Sequence, residues 1–576
     1  MKMKALIIAL GLILASSSLL LAQYPPIPSP TDPDPLPIPT PPAEESAQHP
    51  VAKCQNVTKY IGSDCLVEIT PDDIDAGSLY YLQRSISKNT FSCSDKGANT
   101  ITLTLIQPGP FADVDQQLDT ATCTATVTIY GDATAACLDK TVSLDASGKA
   151  HIEPEALRAN GPDDLAIDAL FLSRRDFDCM DVGPNPVILT VINKSGTQNS
   201  CSATVTVEGK PDAPCTSTRW YVNDEDGNDD NDGRSWQAPF QSLQKAIESA
   251  KYGDHIWVAG GTYQPSAYPR NATQTDGSAL PENERYYTFH LPDGVQLYGG
   301  FAGTENYLSE RQIGSHPSVL DGKLDTGPVF HVVSVVKTGA ETILDGFVIS
   351  GGRAAYLGNA ILVGGELFSS ANGGGIAFSQ SEATVRNVAV VNNYARAEGG
   401  GISIINASPR LTNVVVAANS SGRQGGGIYV TASAFPRLTN ATVANNTGDG
   451  GGNGLYVYNV SSQVTLNNSA FFNNGTQDIL TGSGATVVGE KTYTQQGPAG
   501  YSSPAGFYRL TSNPFVASKD PDGADDVFGT GDDGLQPASS GQLKNAGNIT
   551  LNSVAVDLLG NSRVGEGEID VGAYEN

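Results

Sequence analysis

"GGGISIINASPRLTNVVVAANSSGRQ", residues 399–424, runs straight into "GGGIYVTASAFPRLTNATVANNTGDG", residues 425–450; "GGGIAFSQSEATVRNVAVVNNYARAE", beginning at Gly373, precedes both. Three glycines therefore return every 26 residues. A repeat of this length marks a solenoid, in which one unit cannot bury its own apolar face and must stack on the next. Each unit holds short β-branched bursts, such as "ISII" (402–405) and "RLTNVVV" (410–416), followed by a polar turn. None has room for a long amphipathic helix. Short strands wound in parallel, each turn rising by one strand spacing of about 4.8 Å, make a parallel β-helix. The glycines belong at one corner of each turn, where φ is positive and stacked backbones approach closely.

Asn393, Asn419, Asn446 and Asn474 follow successive apolar bursts at almost the same period. Stacked in register, they predict an asparagine ladder along the axis. Glycosylation is the competing reading, because Asn419, Asn440, Asn459 and Asn474 each open an N-x-[ST] sequon. Short strands ending in glycine, such as "HIWVAGGTY" (255–263) and "FHLPDGVQLYGGF" (289–301), extend the winding toward the N-terminus. Before them, Phe240, Leu243, Ala246, Ile247 and Ala250 share one helical face within 238–254. That pattern predicts an amphipathic helix ending at Gly253 that caps the first turn.

The chain opens "MKMKALIIALGLILASSSLLLAQ": two lysines, an apolar run, then small residues, the layout of a secretory signal peptide over 1–22. Residues 23–50 form a proline-rich stalk. Eight cysteines, all within 54–215, read as disulfides in an oxidising compartment. Their region is itself duplicated: "FSCSDKGANTITLTL" (91–105) matches "FDCMDVGPNPVILTV" (177–191), and "CTATVTIYG" (123–131) matches "CSATVTVEG" (201–209). Alternating strands predict two small antiparallel β-sandwiches of immunoglobulin-like type over 51–131 and 132–210. Within them we expect Cys93 to pair with Cys123 and Cys179 with Cys201. The β-helix then occupies 211–500, and a closing segment 501–576. The expected fold class is all-β, a parallel β-helix behind two sandwiches.

The stretch 219–263 resembles the opening of pectin-lyase-like right-handed β-helix domains of secreted bacterial proteins. "AVDLLGNSRVGEGEIDVGAYEN" (555–576) resembles the closing segment of choice-of-anchor Q surface proteins, and "GGGI" with "FFNN" (471–474) is similar to repeats of polymorphic outer-membrane adhesins. These resemblances imply a right-handed winding of the β-helix, a surface location and a fold shared by lyases, hydrolases and inert adhesins.

A net charge of −27 excludes phosphate backbones as partners and leaves polysaccharide or another cell-surface component. No catalytic or cofactor-binding constellation stands out. In 373–450 the acids Glu382, Glu398 and Asp449 fall in different turns at different repeat positions, so they do not form the paired carboxylates of a glycosidase. Asp321, Asp325, Asp345 and His331 are what an enzyme would have to use, and Arg410 and Arg437 recur in the repeated "PRLTN". Two aspartate-glycine loops offer hard oxygen ligands for structural Ca²⁺: Asp224, Asp226 and Asp230 in one, Asp520, Asp522 and Asp526 in the other. The reading is a secreted adhesin or glycan-binding scaffold. The alternative is a polysaccharide lyase or glycoside hydrolase.

Overall fold

The computed structural model describes residues 49–62, 64–108, 118–161, 163–209, 215–355, 360–482, 484–496, 505–563 and 568–576. The expected signal peptide and almost all of the stalk lie outside them. The chain is all-β, and its larger part is a right-handed parallel β-helix.

Two sheets line the helix along its length. Long strands such as Thr384–Val391, Arg410–Ala417 and Arg437–Ala444 pair in parallel, Leu411 beside Val385 and Leu438. Short strands, Ile376–Ser379, Ile402–Ile405, Ile428–Thr431 and Leu455–Val457, form the other wall. Alternate residues of both sheets enter one core, where Ile376, Phe378, Leu411, Val414 and Val430 are almost wholly buried. Close packing of this kind contributes about 1.5–3 kcal/mol per large apolar side chain. The predicted capping helix is shorter than its pattern, Leu243–Ser249. Ser242 accepts a hydrogen bond from the Lys245 backbone N–H and starts it, while Phe240 is drawn off to bridge Val222.

The asparagine ladder is present and doubled. On the inner rail Asn393, Asn419, Asn446 and Asn474 are buried, each Nδ2 donating to the Oδ1 of the next at 2.9–3.1 Å. An outer rail of Asn387, Asn413, Asn440 and Asn468 bends the long strands, with φ between 46° and 53°. There too each amide donates to its neighbour, at 2.9–3.2 Å. Left-handed backbone is tolerated by asparagine better than by most residues, which explains the choice. The sequons at Asn419, Asn440 and Asn474 are buried, so the ladder is their role.

The closing segment has little regular structure and straps the outer face of the long-strand sheet. Leu510, Phe515, Phe528, Leu543, Leu558 and Tyr574 pack on Val348, Ala389, Val415, Ala444 and Phe472. The outer rail is also its polar dock: Asn413 donates to Val556 O, Asn440 to Asn552 Oδ1 and Asn468 to Asn548 O. Burial pushes Asp533 up to about 7, with Tyr574 Oη donating to its Oδ2 at 2.6 Å. Burial likewise raises Glu575 to about 7, against the pull of Arg563. In an unfolded chain such groups titrate near about 4. Their contribution is therefore complete below about pH 4 and is lost as pH rises through the folded value of about 7. Strap amides should be better protected from hydrogen exchange at pH 5 than at pH 8 after correction for intrinsic rates. Equal protection would contradict this.

Each small unit is a four-stranded sheet faced by a two-stranded ribbon, with the same strand order in both. In the first, Gly97–Pro108 and Leu118–Gly131 form an antiparallel hairpin, while Val57–Ile61 joins the edge in parallel. The edge is parallel, where an antiparallel one was expected, because the whole unit separates it from its partner and no short turn dictates direction. The shared C-x-D-x-G-x-N stretch has a local cause. Asn99 Nδ2 donates to Asp95 O at 2.7 Å, and Asn185 does the same to Asp181 O.

The expected disulfides are corrected. Cys54 pairs with Cys123, Cys65 with Cys93, Cys137 with Cys201 and Cys179 with Cys215. Hairpin register forbids the pairs Cys93–Cys123 and Cys179–Cys201. The residues opposite Cys123 and Cys201 are Leu103 and Leu189. The strands run six residues back from these to Gly97 and Gly183, roughly 20 Å, and Cys93 and Cys179 precede them on 3₁₀ turns, beyond a disulfide's reach. Cys179–Cys215 joins the second small unit to the segment entering the β-helix.

Candidate functional site

In the short-strand sheet, one residue position points outward from every turn. Reading up the register gives His290, Ser334, Ala377, Ser403, Tyr429, Tyr456 and Leu480. Tyr429 and Tyr456 stack with ring centroids 5.7 Å apart at 22°. Tyr458, on the same face, lies 6.0 Å from Tyr456 and is 49% exposed. The glycine triplets make this row possible. A Cβ on Gly399 would meet Tyr429 Cβ at 3.0 Å, and one on Gly425 would meet Tyr456 Cβ at 3.2 Å. Thus the first glycine of one corner clears space for the tyrosine of the next turn, at φ of 70° and 65°. The third glycine makes room elsewhere, since a Cβ on Gly401 would stand 2.9 Å from Asn419 Nδ2 on the inner rail.

Burial pushes the Tyr429 hydroxyl up to about 12, and burial with the neighbouring Tyr458 and Glu398 raises Tyr456. Both stay neutral donors across the physiological range. Glu398, just before the second triplet, pairs with exposed Arg423 at 3.5 Å. The result is a flat aromatic row bordered by one acid and one base. It is suited to stacking and hydrogen bonding.

The sequence-derived candidates are dispersed. Asp345 is buried and held by Arg311 at 2.8 Å, Arg386 at 2.6 Å and Asn387 at 2.8 Å. Burial works to raise its pKa, but the two guanidinium groups outweigh burial and lower it, so it is no general acid. Asp321 pairs in register with Ser350, on the order of 15 Å along the strand from Asp345, too far for a carboxylate pair. Asp325 lies in the turn between Lys323–Leu324 and Gly327–Pro328. Burial lowers His331 to about 4, and its Nδ1 is bonded to Gly373 O at 2.7 Å. Arg410 and Arg437 are adjacent in register and exposed, with no acid beside them on the pairing strands Thr384–Val391 and Gln463–Asn467.

Among the described residues, no three or more of His, Cys, Asp and Glu are gathered so as to hold a metal ion. Asp224 Oδ2 accepts the Thr262 backbone N–H, while the Asp226 and Asp230 backbone N–H groups donate to Asn223 Oδ1 and Asn228 Oδ1. Asp526 sits at φ 57° in its loop, beside the Asp520 and Asp522 turn. The tyrosine row is hard to see in the sequence because Tyr429 and Tyr456 differ from Ser403 at the same repeat position; aligning the triplets exposes it.

A family model described as the right-handed beta helix region matches residues 341–494. No curated protein matches the chain. Among solved structures, the crystal structure of pectate lyase Pel9A is similar at 15% identity and a TM-score of 0.27, covering 63% of this chain and 97% of that one. So loose a likeness carries nothing about chemistry.

Proposed function

We propose that this chain is a secreted β-helix scaffold, an adhesin or glycan-binding protein, whose ligand lies along the tyrosine row of the short-strand sheet. The single observation behind this is the stack of buried Tyr429 beneath half-buried Tyr456 and exposed Tyr458, on a face that the strap leaves open. Pyranose rings offer apolar faces to aromatic surfaces and hydroxyls to the neighbouring Glu398 and Arg423. Four disulfides fit an oxidising, extracellular setting. No helix among the described residues is long and apolar enough to cross a membrane.

The test is retention of the full chain on a panel of neutral and acidic polysaccharides. Tyr458→Ala and Tyr456→Ala should each weaken retention about tenfold, since losing one stacked aromatic removes on the order of 1 kcal/mol or more. Tyr458→Ala should leave the melting temperature within a degree or two. Unchanged retention in both variants would refute the platform, and release of new reducing ends or unsaturated sugars would establish the lyase or hydrolase alternative.

A further inference from the structure

We propose a second ligand site, for the anionic group of an acidic saccharide, in the cavity where the second small unit, the β-helix and the strap meet. The cavity measures about 350 Å³ and is lined by Arg174 from the small unit, Arg311, Asp345, Arg386 and Asn387 from the coil, and Ser553 from the strap. A neighbouring cavity of about 390 Å³ shares Ser173 and Ser553 with it and adds Thr190, Gln198 and Thr550. The first cavity carries the guanidinium groups; the second sets the Thr190 and Thr550 hydroxyls and the Gln198 amide among apolar Phe171, Leu172, Ile188 and Ile192.

The charge is locally inverted. Three arginines face one carboxylate, in a chain whose net charge is −27. That carboxylate is already consumed: Asp345 receives bonds from Arg311, Arg386 and Asn387, so it fixes the guanidinium groups in place. Asp181, the other nearby acid, is paired with Arg174 and accepts the Asp178 backbone N–H. Arg311 is further held by Gly299 O at 3.1 Å and Asp345 O at 3.3 Å. Arg386 gives Nε to Asp345; its side chain is 31% exposed, and its terminal nitrogens make no further bond among the described residues. Such a fork is matched by the oxygens of a carboxylate or a sulfate, through charge-assisted bonds that are stronger than neutral ones. The neighbouring cavity, apolar with a few polar groups, suits the sugar ring that carries the anion. This site is separate from the tyrosine row and stands or falls independently.

Titration calorimetry on the full chain at low salt tests it, with digalacturonate, a sulfated disaccharide and neutral cellobiose as probes. The expected result is binding of an anionic probe that is weakened by added salt and by Ser553→Glu, whereas any heat from cellobiose is unaffected by either and belongs to the tyrosine row. Arg386→Gln and Ser553→Glu should each raise the Kd at least tenfold. Ser553 is exposed, so its variant decides the matter even if Arg386→Gln folds poorly. Binding of digalacturonate alone assigns a uronate, and binding of the sulfated probe alone a sulfate ester. No binding of either anion, or an unchanged Kd in Ser553→Glu, would overturn the site.

Discussion

Asn419→Ala should cost the β-helix about 3–5 kcal/mol, read as a fall in the urea midpoint with the slope unchanged. Asn419 Oδ1 accepts both the backbone N–H and the side-chain amide of Asn393, at 3.0 and 3.1 Å. Its own Nδ2 donates to Asn446 Oδ1 at 3.1 Å and Val390 O at 2.8 Å. Alanine returns none of these, and the interior offers no water in exchange. Each stranded buried group costs about 1–3 kcal/mol. Gly401→Ala should approach the same loss by another route, since its Cβ would press on Gly427 O at 2.8 Å and on Asn419 Nδ2 at 2.9 Å. A midpoint within error of the parent for Asn419→Ala would show that the ladder is ornamental to stability.

Arg563→Met should free the strap while leaving the coil folded. Arg563 is fully buried; its Nη2 donates to Asp570 O at 3.2 Å and to Gly572 O, and its Nε stands 3.7 Å from Glu575. Asp557 Oδ2 accepts the Glu575 N–H at 2.9 Å, so the arginine serves a cluster of acids as their counter-charge. Removing one partner of a buried ion pair typically costs about 3–5 kcal/mol because the other is left uncompensated. Proteolysis should then cut within 505–576, and an apolar dye should bind the uncovered Ala389, Val415 and Phe472. Resistance equal to the parent would mean that the apolar contacts hold the strap by themselves.

The coil was legible because its determinants are periodic and local. Glycine at Gly373, Gly399 and Gly425 and asparagine at Asn393, Asn419 and Asn446 announce corner and rail without any need for coordinates. The outer rail at Asn387, Asn413, Asn440 and Asn468 carried the same signal, and its period was there to be read. Disulfide pairing was not legible by proximity, because it depends on which residue stands opposite which in a hairpin. A register count from Leu103 to Cys123 shows this at once when the strands are known.

The amino-acid sequence by itself determined the parallel β-helix, its ladder and its N-terminal helix, because stacking repeats every strand and the repeat is written in the chain. The tertiary structure decided where the closing segment lies and which faces remain open. The strap covers the sheet that carries Val415, leaving Tyr456 on the other sheet uncovered. It also brought Arg174, Arg311 and Arg386 to one cavity from distant parts of the chain. Such meetings depend on how folded surfaces fit together, and no period along the sequence records that.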